Sequence, residues 1–364
     1  MRTFLIASLA LLMPAAAFAQ GASPITLPDD KVKAVMTAAV DDFIKPGYDA
    51  FAASAKSTTK VIATLCSAPS KPNYEAAQQA FRDTALRWAH IEIVRTGPII
   101  EQNRFERILF YPDRKSTGLK QVQAVLSKSD ETATDPATLG TKSVATQGLG
   151  ALEYLLFGTD AGVLATEKDG FRCRYATAVA GNIANVAEEV SDIWDAPDGI
   201  QKAWEEPGPD NPAFRTGSEA MTALLGILVH GAEAVRDQRI ETFYKGPDKA
   251  KFPKQALFWR SQTTWPAIVA NLHALKDLLA TSNMVELLPN KNKPIVAEIN
   301  SQLIAMAATA GSVTPDLEKA VADEGERRKL DTLLAEGKDV ISKLNDGYGG
   351  AIGLSSGFSF ADGD

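Results

Sequence analysis

Apolar residues recur at three- and four-residue spacings along almost the whole chain, and no segment alternates every second residue as a half-buried strand would. From Lys31 to Ile44 the residues Val32, Val35, Met36, Ala39, Val40 and Phe43 fall on one helical face, and Pro46-Gly47 is the expected break. The same spacing predicts helices over Tyr48–Cys66, Tyr74–Arg95, Lys120–Leu126, Val144–Phe157, Cys173–Trp194, Ser218–Val235, Gln255–Leu279, Pro294–Thr309 and Asp316–Asn345. The fold class that follows is all-α, built from helical bundles. With 364 residues and 45% hydrophobic content, the chain has material for one large core or two modest ones.

The stretch from Trp194 to Gly217 carries Pro197, Gly199, Pro207, Gly208, Pro209, Pro212 and Gly217, so a breaker-rich connection between two helical blocks is expected there. It divides the chain into an N-terminal helical bundle over residues 20–196, a connection over 197–217 and a C-terminal bundle over 218–364. Arg87–Pro98 (RWAHIEIVRTGP) and Trp259–Pro266 (WRSQTTWP) occupy corresponding places in the two blocks, a hint of internal duplication.

Residues 1–19 read as a secretory signal peptide: Arg2, an apolar run from Phe4 to Met13, then Ala17-Phe18-Ala19 as a small-x-small cleavage site. No cysteine follows the site, which argues against a lipid anchor, and no later apolar run reaches membrane-spanning length. The expected product is soluble and exported. Its formal charge, −7 for the whole chain, becomes one unit more negative when Arg2 leaves, which argues against nucleic acid as a partner. Cys66 and Cys173 are the only cysteines, and in an oxidising compartment they are expected to pair; two separate buried thiols are the alternative. A bridge would close a loop on the order of 100 residues, for which the chain-entropy model gives about 4–5 kcal/mol.

Chemistry concentrates in Gly148–Gly158 (GLGALEYLLFG), where Glu153 stands among Leu149, Leu152, Leu156 and Phe157. A carboxylate in such a setting is paired, protonated or bound to a cation. Gly148 and Gly150 weaken a helix, so a neighbouring helix, a kink or a ligand must approach closely. One reading of Glu153 is a buried ion pair to Arg87, Arg95, Arg172, Arg174 or Arg260. The functional reading places it with Arg87, Trp88, Glu92 and Arg95 of the long third helix in one interbundle cleft. Asp113, after Pro112, suits either a cation or a helix cap. Of the three histidines, His90, His230 and His273, His230 has the best local acidic partner, Glu233 three residues on. No H-E-x-x-H zinc pattern and no G-x-S-x-G nucleophile elbow occur.

These residues carry a resemblance. GLGALEYLLFG is similar to the imelysin signature G-x-H-x-x-E, with Gly148 and Glu153 as its glycine and glutamate, and Gly357–Asp364 (GFSFADGD) resembles that family's C-terminal GFN-x-x-DGD. LCSAPS around Cys66, RWAHIEIVRTGPI, FYPDRK, RCRYATAVAGNI and WRSQTTWPAIVANLHAL also fit, so the resemblance covers most of the mature chain. It implies two helical bundles with the motif near their interface, a periplasmic location and a link to iron acquisition. Gly150 stands where the family has histidine. The His-x-x-Glu pair would set two ligands one helical turn apart, suited to a first-row metal; here metal binding transfers to Glu153 alone, with iron or another divalent metal as the implied ligand. Asp362 and Asp364 of the tail add carboxylates. The expectation is a periplasmic binding component of iron or metal uptake, its partner a metal ion or an iron-uptake envelope protein. The alternatives are a metal-dependent peptidase and an envelope scaffold.

Overall fold

A computed structural model describes residues 26–354, so the signal-peptide reading over 1–19 and the GFSFADGD tail with Asp362 and Asp364 lie outside the described residues. Within them the regular structure is helical, with one isolated bridge between Tyr244 and Lys251. Helix α1 (Asp29–Ala39) runs through a π-helical turn, Val40–Ile44, into α2 (Lys45–Ser67). Pro46-Gly47 therefore does not break the helix. The wide turn, in which the Lys45 N–H reaches the Val40 carbonyl, absorbs the donor that Pro46 lacks. Gly47 lets Ile91 pack close, since a Cβ there would come within 2.5 Å of the tip of the Ile91 side chain, which would have to shift.

Helix α3 (Lys71–Ile91) starts at Ser70, whose hydroxyl accepts from the Asn73 N–H. It is followed by α4 (Thr117–Lys128), α5 (Leu149–Phe157), α6 (Phe171–Asp195) and α7 (Gly217–Glu233). The chain ends in α8 (Thr264–Thr281), α9 (Pro294–Gly311) and α10 (Glu324–Ser342). Side chains cap further helix starts, among them Thr216 for α7 and Asp323 for α10.

In the first block α2 packs on α3 and α6, and the Cys66–Cys173 disulfide ties the end of α2 to the start of α6, Cα to Cα 5.6 Å. In the second block α8 packs on α9, and α10 lies against both α7 and α9. The blocks also interlock. Helix α3 packs on α8 and α1 on α7, so one continuous apolar core runs through both. Trp88, fully buried between Phe51 and Phe105 with ring centroids 5.1 and 5.2 Å away, anchors that core; burying a ring of this size contributes about 2–3 kcal/mol.

Two helix ends differ from the periodic reading. Helix α3 stops at Ile91, so Glu92 to Arg95 leave its face. Helix α8 begins at Thr264, and residues 256–263 form an irregular loop in which Phe258 and Gln262 have positive φ, 57° and 58°. The Thr264 hydroxyl donates to the Leu257 carbonyl at 2.6 Å, and Phe258 is pinned edge-on against Phe81. Apolar residues in that loop are buried as a helix would bury them, so periodicity alone cannot tell the two apart.

Candidate functional site

Helix α5 is short and fixed at both ends. At its start a Cβ on Gly148 would fall 2.4 Å from the Ile108 carbonyl oxygen, a backbone contact that cannot yield, so only glycine fits. At its end Arg172 donates to the carbonyls of Tyr154, Leu155 and Thr159 at 2.8–2.9 Å, a cation at the negative pole of the helix. The Tyr74 hydroxyl and the Gln78 amide donate to Leu156.

Glu153 stands mid-helix, 5% exposed. Its Oε1 accepts from the Ser261 backbone N–H at 2.9 Å and the Ser261 hydroxyl at 2.8 Å. Burial raises its pKa above the ordinary carboxylate value; the Ser261 hydrogen bonds and the Arg260 charge oppose this in part. Arg260 lies over the Trp259 ring at 4.4 Å and the Tyr154 ring at 5.3 Å, and burial lowers its own pKa. Among the described residues Glu153 has no salt bridge. Of the arginines considered as its partner, Arg260 acts through its field; Arg172 caps the helix and Arg174 pairs with Glu131.

A cavity of about 110 Å³ opens beside this carboxylate, walled by Gly150, Glu153, Tyr154, Asp113, Trp259 and Arg260. Gly150 is exposed, and a Cβ there would meet nothing within 4 Å. The two glycines thus differ: a backbone approaches Gly148, whereas Gly150 faces open space. Asp113 caps α4, its two carboxylate oxygens accepting from the Thr117 and Leu119 N–H groups at 2.8 and 3.1 Å.

The other expected residues lie elsewhere. Arg87 is exposed on α3 and does not line this cavity, and Trp88 is core. Glu92 pairs with Arg239 at 2.8 Å, while Arg95 pairs with Glu106 and lies 4.2 Å over Phe105. Glu92 and Arg95 line a second cavity with His230, whose Nδ1 is 2.9 Å from Glu233. His90 meets Asp277 at 3.3 Å, and His273 lines a separate groove. Ser261 was not singled out by the sequence, because its loop reads as the start of a helix; the polar run Ser261 to Thr264 was the available signal.

The donor set does not fit a resident metal. Among the described residues no group of three or more His, Cys, Asp or Glu side chains could hold one. Oε1 of Glu153 already takes two donors, both Asp113 oxygens accept backbone N–H groups, and Gly150 offers no ligand.

The imelysin family model (Peptidase_M75) matches residues 44–344. The chain belongs to the imelysin family. Among its relatives, Iron-regulated protein A of Synechococcus elongatus is 25% identical over 211 residues, 55% of this chain and 52% of that protein, so the match spans about half of the relative's length. The fold of this imelysin chain is shared by solved structures. An imelysin-like protein from Psychrobacter arcticum superposes with a TM-score of 0.74 at 18% identity, covering 93% of this chain and all of the other. A putative iron-regulated protein A precursor from Parabacteroides distasonis gives 0.72 at 13% identity, covering 91% and 96%.

Proposed function

We propose that this imelysin-family protein is a periplasmic binding component linked to iron uptake, and that the Glu153 cavity is its binding site. The observation that carries the reading is the Glu153 carboxylate, buried and held by Ser261, at the wall of an open cavity beside the desolvated Arg260. Charges kept in such a place are held at a cost to the fold, which a binding role accounts for. The iron-regulated names of its relatives support the link to iron, and the leader reading supports export. Peptide hydrolysis would need an activated water or nucleophile, and the cavity offers neither a metal-ligand set nor a histidine.

Titration of the mature protein with ferric citrate, which brings its own ligands to the iron, tests the proposal: it binds, and Glu153→Gln weakens that binding at least tenfold while the protein stays folded. Gly150→His, for which space exists, raises affinity for first-row metals. Peptide hydrolysis abolished by both a chelator and Glu153→Ala would replace the binding reading with the peptidase one.

A further inference from the structure

Among the described residues, Asp113, Glu153, Lys254 and Arg260 are the charged side chains that wall the Glu153 cavity. Asp113 accepts from two backbone N–H groups, Glu153 Oε1 accepts from Ser261, and Lys254 pairs with Glu318 at 3.2 Å. The Arg260 side chain makes no hydrogen bond and no ion pair among the described residues. Its guanidinium carbon lies instead over two ring faces, Trp259 at 4.4 Å and Tyr154 at 5.3 Å. The N–H donors of a guanidinium point outward in its own plane, so contact with rings leaves them available to a carboxylate. The side chain is half-buried and none of its nitrogens is sealed from solvent, so a molecule in the cavity can reach them. A guanidinium cannot shed its proton, and one that has given up part of its water without gaining a partner is held at a cost. An anion recovers that cost.

We propose, on the reading of this cavity as the binding site, that Arg260 sets its specificity: the ligand is a small polycarboxylate, one carboxylate of which enters the cavity and accepts two N–H groups from Arg260, while the others stay outside to hold iron. The same wall lacks a metal-ligand set, so on that reading iron enters with ligands of its own, and the chelator's carboxylates are what the protein can read. Size agrees. At about 110 Å³ the cavity is well under the roughly 300 Å³ at which small-molecule sites begin, so it admits one arm of a ligand and leaves the rest at the mouth. The surrounding charges agree as well. The Lys254 ammonium stands 5.9 Å from the Trp259 ring, and its exposed pair with Glu318 is of the weak kind that a ligand can replace. The two negative neighbours are already compensated, Asp113 by its backbone donors and Glu153 by Ser261, and burial draws Glu153 toward its neutral form.

Iron-free succinate and its diamide, which has a similar shape without the charge, are the probes for the mature protein, with binding followed by calorimetry and by the NMR resonance of the Trp259 indole N–H. Succinate should bind at roughly millimolar concentration and shift that resonance, and the diamide should bind about tenfold more weakly or less. Arg260→Gln should weaken succinate by about tenfold or more. Should that variant fail to fold, the unmodified protein still decides, because succinate must shift the Trp259 signal at concentrations where the diamide does not. Absence of succinate binding, diamide binding as tight as succinate, or undiminished succinate binding in folded Arg260→Gln each overturns the proposal. Ferric citrate binding that Glu153→Gln weakens and Arg260→Gln leaves unchanged also overturns the role of Arg260 while the cavity stands as the binding site. Succinate binding that needs Arg260, in a protein that does not take up ferric citrate, keeps Arg260 as the carboxylate site and overturns the iron reading instead.

Discussion

Gly148 and Gly150 are two residues apart and have opposite roles. Gly148→Ala drives a methyl group into the Ile108 carbonyl and should cost on the order of 1–3 kcal/mol by displacing α5. Gly150→Ala enters open space in a helix and should stabilise by roughly 0.5–1 kcal/mol. Urea unfolding of the two variants checks the contrast; equal costs would contradict the geometry. Glu153 gives a prediction in pH. Its carboxyl is raised by burial above the ordinary 4.5, so the folded state holds the proton more tightly than the unfolded state. The stability this contributes is full below about pH 4.5 and is lost as pH rises through the folded value. Glu153→Gln keeps an acceptor for Ser261 and has no such loss. As pH rises from about 4.5 the unmodified protein should therefore lose stability relative to the variant. A gap that widens the other way would mean that a partner favours the charged form.

At the scale of elements, α5 holds the site only because others brace it: Arg172 from α6, Tyr74 and Gln78 from α3, and the 256–263 loop that brings Ser261 to Glu153. The disulfide joins α2 to α6 beside this bracing, at a sequence separation of 107. Thiol titration of the unfolded, unreduced protein should find no free thiol. Replacing both cysteines with serine should lower stability by about 4–5 kcal/mol, the loop-entropy value for a loop of this order. A loss much under 1 kcal/mol would show that the unfolded chain is already constrained there.

Across the whole molecule, the contacts of α1 with α7 and of α3 with α8 run one core through both blocks. Calorimetry should therefore show a single unfolding transition whose van't Hoff and calorimetric enthalpies agree. Two resolved transitions would mean that the 197–217 connection separates units that fold independently. The helical class, the cysteine pairing, the special character of Gly148 and the burial of Glu153 were all legible in the sequence, because each rests on local spacing, residue chemistry or a count. The break expected at Pro46-Gly47 was not, since a π-helical turn can supply what proline lacks. Nor was the separation of Glu92 and Arg95 from Glu153, which depends on where α3 ends. Ser261 and Arg239 lie more than eighty residues from the carboxylates they meet, and only tertiary packing chooses such partners. Sequence by itself determined which faces had to be buried; the tertiary structure decided which buried charges would face a cavity, because that depends on how two helical blocks close over each other.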